Sequence, residues 1–195
     1  DVDYQNRVIV ASDTLLLLSL DNYLGQDHRY YSDIKRYIVK NLNPSQLPID
    51  IAKAYAQKYI SLPIKNTFLE QMIYFGKQLY LQQIWLPTTS DASKIGYTEN
   101  QWQWAEENQV YMWRYFIEKE LLFSTDPGLT PRFISNAPFS KFYLELDNES
   151  SPMLGRYLGW KIVRSFMKNN DITPQQLLVF DAEALYRKSK YKPKK

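Results

Sequence analysis

Thr67-Phe68-Leu69-Glu70-Gln71-Met72-Ile73-Tyr74-Phe75-Gly76-Lys77-Gln78-Leu79-Tyr80 is the stretch whose reading decides the fold. Leu69, Met72, Ile73, Gly76, Leu79, Tyr80 and Ile84 recur at three- and four-residue spacing, which predicts a helix with a core-facing stripe. Asn66 stands where a cap would be, and Glu70, Tyr74, Lys77 and Leu81 form a neighbouring row. The stretch also has the layout of a metallohydrolase helix without its ligands. In an H-E-x-x-H helix, two imidazoles one turn apart hold zinc, and the carboxylate beside the first acts as general base. The corresponding positions here are Glu70, Gln71 and Tyr74. An amide has no useful basicity, and no acid occurs between Glu70 and Asp91 to serve as third ligand. The expectation is therefore no catalytic residue, no metal and no cofactor on this helix. Glu70, Gln71 and Tyr74 are kept as candidates for a remnant pocket; the plainer alternative is partly buried polar groups bonded to one another or to Lys77.

Working outward, Arg7–Ala11 and Thr14–Leu20 read as two strands joined at Ser12-Asp13. The second run is apolar without alternation, which predicts a strand covered on both faces. Helical sequence fills most of the rest. Ile34–Leu42 is a short amphipathic segment, and Pro48 opens a helix to about Ile60. Thr98 caps a long helix from Glu99 to about Phe123, with Trp102, Ala105, Met112, Trp113, Phe116 and Leu121 inward. Residues 124–152 read as irregular, broken by Pro127, Pro131, Pro138 and Pro152, and Met153–Lys168 as one more helix. Gly155 and Gly159 lie four apart on it, so another element can approach closely there. Thr173-Pro174 begins a helical pair at the end. The fold class is α+β: a mostly helical single domain, residues 1–186, with a small N-terminal sheet and a basic tail, 187–195.

Composition removes several function classes. The chain has no cysteine, so neither disulfides nor thiolate chemistry is available. Its one histidine, His28, lies in a polar loop-like segment and reads as a hydrogen-bonded residue, with no G-x-S-x-G elbow for it to serve. No apolar run reaches the ~20 residues that span a bilayer. The opening residues lack the charged and apolar regions of a signal peptide, so the sequence reads as a mature or trimmed form. The formal charge of +3 is uneven: taking the tail's six basic residues from 24 leaves 18 against 21 acidic ones. Arg187, Lys188, Lys190, Lys192, Lys194 and Lys195 are thus either a solvated end or a contact for anionic lipid headgroups. Nothing interleaves bases with aromatics as nucleic-acid binding would need. Glu145, Asp147 and Glu149 crowd a loop that reads as an acidic cap for the next helix. Together with Glu118 and Glu120, Glu145 also leaves open a glycan- or peptidoglycan-directed hydrolase or binding module built on carboxylates and aromatics.

Four stretches carry a resemblance. They are Leu20-Asp21-Asn22-Tyr23-Leu24-Gly25, Glu70 through Lys77, Trp113-Arg114-Tyr115-Phe116-Ile117-Glu118, and Pro152 through Val163. In this order and spacing, with the ending Ser189 to Lys195, the chain resembles the C-terminal part of the gliding motility lipoprotein GldB of Bacteroidetes. The resemblance implies a periplasm-facing, membrane-anchored lipoprotein of the cell envelope, held by a lipid anchor upstream of these residues. It implies association with gliding and type IX secretion, and other envelope proteins as partners. The family is distantly similar to H-E-x-x-H zinc-peptidase-like proteins, which implies a degenerate zincin-like scaffold. Departure from that pattern at Glu70, Gln71 and Tyr74 implies a pseudoenzyme that acts by binding.

Overall fold

The computed structural model describes residues 2–145 and 147–193. Its strands β1 (Val8–Val10) and β2 (Leu16–Leu18) form an antiparallel hairpin with Val8 opposite Leu18. The expected double cover of the second strand is corrected: Leu17 and Leu18 are 48 % and 37 % exposed, and Leu15 and Leu20 are exposed as well. The sheet has two strands, and its main contact with the helices runs through β1 against helix α2 (Leu47–Tyr59), so Leu17 and Leu18, on opposite faces of β2, both stay open to solvent.

Helices account for most of the rest. The segment expected over Ile34–Leu42 contracts to one turn, α1 (Arg36–Val39). The decisive stretch is α3 (Phe68–Trp85), capped by Thr67 and not by Asn66. Thr67 Oγ1 accepts from the Glu70 N–H, while Asn66 takes a left-handed φ of 57° that reverses the chain ahead of the cap. Its apolar stripe is buried from Leu69 to Leu79, but Ile84 is 41 % exposed where the helix leaves the core. A short helix α4 (Asp91–Ile95) follows, begun by Ser90 and stopped by Gly96 in the left-handed region. The long helix expected over Glu99–Phe123 is two helices, α5 (Glu99–Glu107) and α6 (Gln109–Glu118). The Asn108 amide donates to the Trp104 carbonyl at 2.8 Å, and its backbone departs from helical geometry at that point. Thr98 does cap α5, in a reciprocal pair with Gln101.

Among the described residues of 124–152 there is no long element; a π-helical turn at Thr130–Ile134 and a 3-10 turn at Asp147–Glu149 punctuate them. Then come α7 (Leu154–Asn169), α8 (Pro174–Val179) and α9 (Ala182–Ser189). The expected acidic cap of α7 is also corrected. Asp147 accepts from the N–H groups of Phe142 and Tyr143 at 3.0 and 2.8 Å, closing its own loop, and α7 begins at Met153 without a side-chain cap.

The centre of the molecule is the crossing of α3 and α7, where backbone meets backbone. A Cβ on Gly76 would lie 2.4 Å from the Gly159 oxygen, and one on Gly159 would lie 1.9 Å from the Met72 oxygen. Only glycine allows so close an approach. Around this seam Leu69, Met72, Ile73, Tyr157, Leu158, Trp160 and Val163 are buried. Beside it, Phe68, Phe116, Phe133 and Phe142 stack in successive edge-on and tilted pairs with centroids 4.9–5.8 Å apart. Such pairs add ~0.5–1.5 kcal/mol each beyond area burial. The whole is α+β in class, mostly helical with a small sheet.

Candidate functional site

The α3 residues singled out from sequence separate into two places. Glu70 and Tyr74, one turn apart, line a shallow groove of about 130 Å³ between the chain at Ile60–Ile64 and the junction of α8 with α9. Lys77, the next residue on that row, closes it: its Nζ donates to the carbonyls of Leu178 and Phe180 at 3.2 and 2.7 Å. Burial lowers the Lys77 amine to about 8, with Asp181 opposing. Glu70 is buried and its Oε2 has no hydrogen-bond partner. Burial raises the Tyr74 phenol, with the neighbouring Gln78 side chain opposing. Gln71 projects elsewhere. It accepts from Thr130 Oγ1 at 2.7 Å and donates to the Asn66 carbonyl at 3.3 Å, fastening the helix start to the π-helical turn. The position where a metallohydrolase helix has its base is thus a structural tie. Neither Glu70–Tyr74 nor Glu70–Lys77 is hydrogen-bonded. Among the described residues no three His, Asp or Glu side chains gather as an ion would require.

The other sequence candidates lie apart. Glu118, Glu120 and Glu145 are exposed, and none of them lines either cavity described here. His28 caps a 3-10 turn, its Nδ1 accepting from the Tyr30 N–H at 3.3 Å, with its ring edge-on to Tyr30. Arg187 and Lys188 belong to the last turn of α9, where positive charge suits the helix end. They are exposed, like Lys190 and Lys192; Lys194 and Lys195 lie outside the described residues. The chain between them is fastened, because Ser189 is buried and the Tyr191 ring packs edge-on against Trp113 at 5.2 Å.

The principal cavity was not legible from any motif. It opens to solvent between α2, α3, the end of α4 and the start of α7, under the N-terminal segment that leads into β1, and measures about 550 Å³. Arg7, Lys53, Lys94 and Arg156 line it, with Asp50 as the single carboxylate. Amide side chains Asn41, Gln46, Gln57, Gln78, Gln82 and Asn136 supply most of its remaining polarity. Residues from seven separate stretches meet here, so spacing along the chain carries no sign of it. Chemically the cavity offers cationic donors and neutral amides. Its lining holds no cysteine, serine or histidine.

A model of the family described as gliding motility protein GldB matches residues 1–193. No curated protein and no solved structure matches the chain.

Proposed function

Because the chain belongs to the GldB family of gliding motility lipoproteins, we propose that it is a non-catalytic envelope protein that works by binding other envelope components. The observation that carries this reading is the state of α3. Glu70 and Tyr74 face a groove that Lys77 and the α8–α9 junction close, and Gln71 is spent on Thr130 and Asn66. The helix has a sufficient reason to exist in its buried stripe and its glycine seam with α7. On this reading the scaffold is a degenerate zincin-like one whose chemistry is gone. The protein faces the periplasm on a lipid anchor upstream of these residues, beside the gliding and type IX secretion machinery. Arg187, Lys188, Lys190 and Lys192 then turn toward anionic headgroups.

The test replaces the full-length lipidated protein in a gliding strain by a Glu70→Gln, Tyr74→Phe variant. Gliding at the wild-type level, with the same envelope proteins co-purifying on an affinity tag, is the expected result. Loss of gliding at normal protein abundance, with the same envelope proteins still co-purifying, would mean that those two side chains do more than line a closed groove, and the reading would be wrong. An affinity preparation with no specific envelope partner would overturn it equally.

A further inference from the structure

The principal cavity carries more positive charge than its walls neutralise. Arg7 is engaged: its Nη1 donates to Asp50 Oδ2 at 3.2 Å and to the Asn41 carbonyl at 3.1 Å, and its Nε donates to the Tyr4 carbonyl. Asp50 accepts from the Tyr23 hydroxyl as well. Lys94 is engaged at its far end by the Thr89 carbonyl and Asp91. Lys53 and Arg156 are different, because among the described residues neither has a carboxylate within ion-pair distance. Arg156 spends one donor, Nε, on the Ile134 carbonyl at 2.6 Å and rests its guanidinium 4.1 Å from the Phe75 ring centroid. Among the described residues its two terminal nitrogens have no protein acceptor.

Burying like charges side by side is costly unless a counter-charge arrives. The cost registers on Lys53, whose amine is lowered to about 8 by burial first and by the Arg156 charge second; Asp50 opposes and Arg7 adds to it. A second observation points the same way. Gln82, from α3, is 2 % exposed and its Oε1 accepts from nothing in the protein. A buried acceptor without a donor costs roughly 1–3 kcal/mol, so a visiting group that brings a hydroxyl would relieve it. Phe75, Leu79 and Met153 add apolar wall. The volume, about 550 Å³, falls in the ~300–1,000 Å³ span of small-molecule sites and is too confined for a folded partner.

We propose that this cavity binds a small oxyanion, a phosphate or carboxylate carried on a hydroxylated scaffold such as a sugar or polyol, with Lys53 and Arg156 holding the anionic oxygens and Gln82 accepting from a hydroxyl. Arg156 presents a planar pair of donors suited to two oxygens of one group, and Lys53 supplies a point charge. The proposal rests on the binding reading above in that it names a ligand for it, yet the gliding test there does not involve these residues.

The experiment is calorimetric titration of the folded chain with glucose 6-phosphate, glucuronate, inorganic phosphate and neutral glucose. In a parallel arm the chain is co-sedimented with phosphatidylglycerol vesicles against phosphatidylcholine ones. Lys53→Met and Arg156→Gln are compared with Lys119→Ala, an exposed cation on the far end of α6. Binding of at least one anion but not of glucose, weakened tenfold or more by Lys53→Met and untouched by Lys119→Ala, is expected. A vesicle signal lost in Lys53→Met assigns the anion to a lipid headgroup; binding confined to the soluble anions assigns it to a free metabolite or glycan. The proposal is overturned if no anion binds, or if Lys53→Met, with wild-type circular dichroism, binds as the wild type does. Arg156→Gln supplies the second reading if Lys53→Met fails to fold.

Discussion

Replacing Gly159 by alanine sets one methyl group against the backbone of the facing helix. The added Cβ lies 1.9 Å from the Met72 oxygen and 2.4 Å from its carbonyl carbon. A carbon–oxygen contact relaxes only at about 3.3–3.6 Å, so α3 and α7 must part by roughly 1.5 Å at the crossing. No rotamer offers an escape, since both partners are backbone in the middle of helices. A radial gap of half that size already forfeits about a quarter to a half of each dispersion contact. The loss is shared by Leu69, Met72, Ile73, Tyr157, Leu158 and Val163, all at or near zero exposure. Overpacking of a core costs about 1–3 kcal/mol, and the upper end applies here. Alanine returns about 1 kcal/mol through better helix propensity, which leaves a net loss of about 2 kcal/mol. For a chain of this size each kcal/mol moves the midpoint by about 2–4 °C, so Tm should fall by about 4–8 °C. Urea unfolding followed by far-ultraviolet circular dichroism measures the loss as a lower midpoint at unchanged slope. Gly128→Ala is the control, because its Cβ would meet only the movable side chain of Asp126. If Gly159→Ala equals or exceeds the wild type in stability, the seam is not where the molecule is tightest and the account of α3 is wrong.

Two further outcomes follow from the same packing and burial. Phe133→Ala removes a fully buried ring that touches Phe116 at 4.9 Å and Phe142 at 5.1 Å. It should cost about 3–5 kcal/mol in urea unfolding; a loss below about 1 kcal/mol would show that the aromatic cluster collapses freely. Stability should also rise between about pH 8 and pH 10. Lys40, Lys53 and Lys77 are each lowered to about 8 by burial, so in that window the unfolded chain holds more protons than the folded one. Above about pH 10 the sign reverses, because burial raises the phenols of Tyr23, Tyr97, Tyr157 and Tyr191 and the unfolded chain loses those protons first. Urea midpoints at intervals from pH 7 to 11 should pass through a maximum, and a monotonic decline would contradict the burial of the three amines.

How much was legible in the chain depended on whether the cause was local. Thr98 with Gln101, the stripe from Leu69 to Leu79, and Gly159 on α7 each announce themselves by spacing, because a cap or a helix face is decided within a few residues. The break at Asn108 did not, since Trp104, Met112 and Phe116 keep helical spacing straight across it and only the Asn108 amide diverts the backbone. The exposure of Leu17 and Leu18 was hidden for another reason: an apolar run says what a strand would bury, not whether the fold supplies a second layer. Glu70, Gln71 and Tyr74 stand out by residue type, as the H-E-x-x-H layout without its imidazoles. Their division between a closed groove and a tether to Thr130 needed the tertiary structure. The cavity at Lys53 and Arg156 lay beyond sequence altogether, joining side chains a hundred residues apart.

The glycine seam also governs when this protein can fold. The faces that meet there come from Phe68–Trp85 and Leu154–Asn169, segments separated by some seventy residues. Until the second is available, the stripe of the first has no surface to bury against, and loop closure over that span must precede any reward. A polypeptide emerging in order would therefore stay loose until Leu154–Asn169 arrives and lock only then. The contact that makes the native state rigid is also the one that postpones it.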